Sequence, residues 1–182
     1  MKKILLLIGV VLLASCSAIE HKPTHILPYT VTFHGASNAN NPAASGLPRS
    51  ETPSNDQPGD TQYGGIYPLS YAVECNPART ACKHAVIQTE LTYEIHEVNS
   101  AVQFTGVLKS TMGRKITQRI VAQPGSESSE TMAVSDDVQV IGTKTINTPI
   151  SFTYAPGKRV VIDGLGGVQV IFAFDAMKAP AA

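Results

Sequence analysis

The sequence predicts an all-β domain, a small antiparallel β-sandwich preceded by a flexible tether. Apolar and polar residues alternate at period two from residue 85 to 98, and the apolar run from 168 to 174 reads as a strand covered on both faces. Gly, Pro, Asn and Asp clusters punctuate the chain between such runs. No long stretch carries apolar residues at helical spacing.

The domain is expected over residues 67–175. In AVIQTELTYEIHEV (85–98), Ile87, Leu91, Tyr93 and Ile95 share one parity, while Gln88, Glu90, Thr92, Glu94 and His96 share the other. This is a strand with one wet face. Asn99-Ser100 then turns, and Val102-Gln103-Phe104 continues the alternation, so a hairpin is expected. ITQRIV (116–121) reads as a short strand. Met132, Val134, Val138 and Val140 follow across a run interrupted by Asp136-Asp137, which predicts a bulge or turn. ISFTY (150–154) alternates, Pro156-Gly157 turns, and Arg159 to Ile162 forms the next strand. Asp163 to Gly167 connects it to a last strand, Val168 to Phe174. There Val168, Val170, Phe172 and Phe174 share a face, with Ile171 and Ala173 opposite, as in a central strand covered on both sides. Six to eight strands at this spacing place the domain in an Ig-like or transthyretin-like sandwich class. Residues 176–182 are expected to be a frayed tail.

The N-terminal part has a different texture. Lys2 and Lys3 precede an apolar run, Ile4 to Ala14, broken only by Gly9. That run suits the core of an export signal and is too short for a membrane-spanning helix of roughly 20 residues. It ends in Leu13-Ala14-Ser15-Cys16, which resembles the lipobox of bacterial lipoproteins. The resemblance covers residues 1–16. It implies removal of residues 1–15 as a signal peptide and lipid on the Cys16 thiol, with the new amino group acylated as well. Two or more acyl chains hold a protein stably at a membrane. The resemblance thus implies an anchored polypeptide in water, and Ser17 in place of aspartate points to the outer membrane, with the domain in the periplasm or at the cell surface.

Residues 16–66 read as the lipidated terminus and linker. Gly35 to Gly65 is rich in Pro, Gly, Ser, Asn and Asp, and buries too little apolar surface to repay ordering its backbone. Ile26 to Phe33 is the exception. Tyr29, Val31 and Phe33 alternate there and suit a strand that docks back on the domain.

With Cys16 lipidated, Cys75 and Cys82 remain in CNPARTAC. In an oxidising compartment they are expected to form a structural disulfide at the N-terminal edge of the domain. The six intervening residues do not match a redox motif with two. A zinc site would have to recruit His84 and Glu74, and no metal is expected.

The whole chain has 14 basic and 14 acidic side chains, and loss of Lys2 and Lys3 leaves it slightly acidic. Nothing in that balance favours nucleic acid. The chain has no tryptophan, which argues against an indole platform for carbohydrate. No serine sits in a G-x-S-x-G elbow. Gly164-Leu165-Gly166-Gly167 lacks the Lys-Ser/Thr of a phosphate loop, and a turn needing positive φ explains its glycines. Asp136-Asp137 lacks calcium-loop spacing. His96 is expected beside Glu94 on a solvent face, and His21, His25 and His34 in or beside the linker.

No catalytic constellation or cofactor is therefore expected. The expected function is that of a non-catalytic envelope lipoprotein, whose sandwich binds or stabilises another envelope component, such as a secretion or outer-membrane assembly, through an exposed edge strand. Two alternatives stay open. One is a ligand-binding or enzyme-inhibitor lipoprotein using a pocket or the segment 122–131. The other is a small periplasmic hydrolase with His84 or His96 as base.

Overall fold

The computed structural model describes residues 29–36, 48–54, 59–123 and 126–174. The leader, Cys16 and the tail after 174 lie outside the described residues. Eleven strands follow in order: β1 (Tyr29–His34), β2 (Pro48–Ser54), β3 (Gly59–Ile66), β4 (Ser70–Cys75), β5 (Cys82–Val98), β6 (Ala101–Gly113), β7 (Lys115–Gln123), β8 (Ser126–Ala133), β9 (Lys144–Thr153), β10 (Arg159–Asp163) and β11 (Gln169–Phe174). One 3₁₀ turn, Leu165–Gly167, is the sole helical element among the described residues.

The strands form three sheets. The first has the order β10-β11-β1-β2. The second has the order β3-β5-β6-β9, with β4 paired to the other half of the long β5. The third is the β7-β8 hairpin. All pairings within the sheets are antiparallel. The fold is an open β-structure, not a barrel, as the alternation predicts.

The first two sheets pack face to face. Tyr29, Val31 and Phe33 of β1 point inward with Val170, Phe172 and Phe174 of β11. They meet Ile87, Leu91, Tyr93 and Ile95 of β5, Phe104, Leu108 and Met112 of β6, and Ile150 of β9. The inward set on β5 is the parity class read from the sequence, so the hydrophobic pattern fixed which face is buried. Phe104 lies at the centre of an aromatic cluster, with ring centroids 5.1–6.0 Å from those of Tyr29, Tyr93, Phe152, Phe172 and Phe174. The Tyr29 and Tyr93 hydroxyls bond across the sandwich at 2.7 Å.

One polar pair interrupts this face. Thr89 and Ser110 stand opposite each other on β5 and β6, buried, and neither hydroxyl has a hydrogen-bond partner. Beside them the Leu165–Gly167 turn presses on the core: a Cβ on Gly166 would lie 2.4 Å from Ile87 Cδ1 and 2.9 Å from Ala72 Cβ. Gly166 and Gly167 have φ of 60° and 77°, the left-handed conformation expected of these glycines.

The sheets begin at Tyr29, inside the segment read as linker. β1 lies between β11 and β2, so it is an interior strand rather than an optional addition. β2 (PRSETPS) and β3 (GDTQYGGI) have no apolar alternation to announce them. They pair through backbone groups against β1 and β5, and the ladder requires no particular side chain. β1, β2 and β3 thus lie within the segment expected as linker, and its residues before 29 lie outside the described residues.

On the outer face of β5 a second, smaller core joins Leu69, Val86, Ile116 and Val134, with Met132, Val138 and Val140 against it. It seats the base of the β7-β8 hairpin. Residues 122–131, expected as a loop, belong largely to that hairpin's two strands.

Two ends are distinct. At one, β1 enters at Tyr29 and the β5-β6 and β9-β10 turns project, at Asn99-Ser100 and Pro156-Gly157. At the other lies the β4-β5 turn. β5 alone, with 17 residues, spans about 55 Å between them.

Candidate functional site

Cys75 and Cys82 form a disulfide and face each other at the last register position of β4 and β5. Because β1–β3 precede this hairpin, the disulfide closes the far end of the molecule rather than the domain's N-terminal edge. Asn76 organises the loop: its Oδ1 accepts from the Thr80 and Ala81 N–H groups, and its Nδ2 donates to Thr80 Oγ1. Arg79, at φ 56°, sits exposed near the tip.

His84 and His96, the candidate bases, lie far apart on β5. His84 spends its backbone on Gln139 and Ile141, making a parallel bridge to Val140. His96 Nε2 lies 3.1 Å from Glu94 Oε2, and both side chains are about two-fifths exposed. Its opposite residue on β6 is Gln103. This places an imidazole beside a carboxylate on the same strand. Among the described residues no group of three or more His, Cys, Asp or Glu side chains is placed to hold a metal. Asp136 and Asp137 fall in the polar turn after β8. Asp137 accepts from the Ser135 hydroxyl, which, with its own backbone N–H, holds its carboxyl below the ordinary range. Arg114 ties this turn to the sheet, donating to the carbonyls of Ser135 and Val138.

The feature best suited to engage another molecule is the open flank of the sandwich. There β9, the edge of the second sheet, runs past β10, the edge of the first. The groove between them has a volume of about 330 Å³. Ile150, Phe152, Val160 and Ile162 line it among others. Ile150 and Ile162 are buried, so the floor is the core itself.

The two edges differ in what they offer. The Tyr154 N–H bonds the Val102 carbonyl, so even-numbered residues of β9 spend their backbone groups on β6. Odd-numbered ones aim outward, and Pro149 is one of them. With no N–H to give, Pro149 interrupts that outer edge at its centre, a common guard against strand pairing. On β10 the parity is also even-inward: Lys158 accepts from the Phe174 N–H, and Gly164 donates to the Val168 carbonyl. The backbone groups of Arg159, Val161 and Asp163 therefore face outward. Thr148 Oγ1 of β9 occupies the Asp163 carbonyl at 3.2 Å. Arg159 and Val161 keep theirs toward the groove mouth, and Val161 is 46% exposed. The register of β10 with β11 has no bulge, and β10 contains no proline. By contrast β2 contains Pro48 and Pro53, and β3 carries a register shift between Gly59 and Gln62.

Sequence reasoning named an exposed edge strand as a docking surface without saying which one. The only signal for β10 was its short apolar centre, Val160-Val161-Ile162. Its position at an edge depends on strand order, which no local pattern encodes. Comparison with family models, curated proteins and solved structures finds no match for this chain.

Proposed function

We propose that this chain is a non-catalytic lipoprotein, anchored through Cys16 in the outer membrane, whose sandwich receives an extended segment of another envelope protein on β10. The observation that carries the reading is the edge of β10, without proline or bulge and open at Arg159 and Val161, at the mouth of an apolar groove. A strand added there would bond the Arg159 and Val161 backbone groups. Its inward side chains would fall against Val160, Ile162 and Phe152. Strand addition draws affinity from main-chain bonds and specificity from alternate side chains, so the segment that fits is extended and apolar at every second position. Arg159 and Asp163 flank the site with opposite charges and favour an acidic residue near one end and a basic one near the other.

Val161→Pro tests this. It removes an outward N–H while leaving the β10-β11 ladder intact, whereas Val160→Pro removes a ladder bond. The wild type, solubilised from membranes in detergent, should enrich an envelope protein that Val161→Pro loses while keeping its melting temperature within a few degrees. Equal enrichment by both folded proteins would refute the β10 site. Failure of labelled fatty acid to enter the wild type over a Cys16→Ser control would refute the anchor separately.

A further inference from the structure

We infer that the end of the sandwich where β1 enters is a membrane-contacting face, with Lys158 and Arg159 of the first sheet set against the phosphates of anionic phospholipids and Val98 of the second sheet at the same interface. This rests on the lipid anchor proposed above. The length of the connecting chain carries it. Residues 17–28 separate Cys16 from Tyr29, and thirteen residue steps reach at most about 45 Å even when fully extended. That is less than the roughly 55 Å length of β5. An anchored sandwich on so short a connection keeps its entry end toward the bilayer and its disulfide end away from it.

The chemistry of the entry end fits that position. The β9-β10 turn carries Lys158 and Arg159, both exposed and with no ion pair to another described residue. Ala155 O accepts from the Lys158 N–H at 3.0 Å, and Gly157, at φ 74°, completes a tight turn that holds the two cations at its exit. Across the sandwich the β5-β6 turn is equally tight. Asn99 and Ser100 have φ of 50° and 63°, the pattern of a type I′ hairpin. That turn presents Val98 at 42% exposure. Glu97, exposed on β5 next to Val98, and Glu94 beside His96 put acids of this end on the second sheet, while Lys158 and Arg159 lie on the first. Two cations near an anionic surface hold the contact more strongly than the anchor's reach alone, and salt weakens them.

The test uses the full lipidated chain in vesicles, with a fluorophore on Thr153→Cys near the entry end or on Ala78→Cys at the far end. Headgroup-labelled lipid is the quencher. With vesicles containing phosphatidylglycerol, the Thr153 dye should be quenched strongly and the Ala78 dye little. Lys158→Glu with Arg159→Glu should cut the headgroup-contacting population by about an order of magnitude, as should vesicles of phosphatidylcholine alone. Equal quenching at both dyes, or no response to charge reversal and lipid charge, overturns the inference. Vesicle flotation separates the two levels: a wild type that fails to float refutes the anchor, while one that floats with unoriented dyes refutes only the contact face.

Discussion

Gly106→Ala and Gly65→Ala make a pair whose signs the structure fixes in opposite directions. Both glycines lie within strands, and neither has a positive φ. From sequence alone both replacements should help, because alanine restricts the unfolded chain and gains about 0.4–1 kcal/mol where the native backbone tolerates it. The surroundings separate them. A Cβ on Gly65 would meet nothing within 4 Å. One on Gly106 would lie 2.2 Å from the Thr92 carbonyl oxygen and 2.6 Å from Tyr93 Cα. These are backbone atoms of the neighbouring strand, so the strand must move rather than a side chain rotate. Gly106 also stands opposite Tyr93, whose ring packs on Phe104 and Phe172, and a shift there disturbs the aromatic core. Forcing extra atoms into a packed site costs about 1–3 kcal/mol. Set against the entropic gain, Gly106→Ala should lose about 1–2 kcal/mol, and Gly65→Ala should gain about 0.5 kcal/mol. In urea, with a slope of about 2 kcal/mol/M, the midpoint should fall by about 0.5–1 M for the first and rise by about 0.25 M for the second. A Gly106→Ala midpoint at or above wild type, with an unchanged slope, would sink the claim that β5 and β6 approach this closely.

Two further outcomes follow from buried polar groups. Thr89→Val replaces a buried hydroxyl that lacks a partner with a methyl of similar shape, so it should stabilise the protein by about 1 kcal/mol in urea unfolding; a loss of stability would mean that the hydroxyl is satisfied after all. Tyr67 stacks on Phe33 at 4.3 Å, and burial, with the Tyr93 phenol adding to it, raises its pKa above the ordinary value. Stability linked to this neutral phenol is complete below the unfolded-state pKa of about 10 and declines as pH rises past it toward the folded value. Tyr67→Phe should therefore lose less stability than wild type between about pH 9 and 11 in parallel urea titrations, and identical pH profiles would assign the alkaline loss elsewhere.

The legible and hidden parts of the fold divide along side-chain contact. β5, β6, β9 and β11 were readable because each puts alternate residues into a shared core, and burial imposes period two on the sequence. The hairpin turn at Asn99-Ser100 was readable because two successive left-handed residues restrict composition. β2 and β3 were not, since one carries two prolines and the other three glycines, and neither shows apolar alternation. β1 was half legible: Tyr29, Val31 and Phe33 announced a strand, but nothing local placed it between β11 and β2. The disulfide pair was evident from cysteine count, while its position at the far end required knowing that three strands come before it.

The same division explains why the candidate site could be named only as a kind of surface. An edge is a property of order, and order follows from long-range pairing. Once the order β10-β11-β1-β2 is known, the sequence becomes informative again, because each edge can be read for what guards it. Pro149 interrupts the outward face of β9, prolines mark β2, and a register shift bends β3. β10 carries none of these devices, although natural sheets seldom leave a regular edge undefended. Its length of five residues limits the hazard of uncontrolled pairing, and the Thr148 bond to the Asp163 carbonyl closes one end of it. What remains open is the stretch at Arg159 and Val161, bounded by charges of opposite sign and floored by core side chains. A site of that size suits a short extended segment entering in one register. That is why removing the outward N–H of Val161, at the centre of this stretch, should abolish binding in a domain that otherwise folds unchanged.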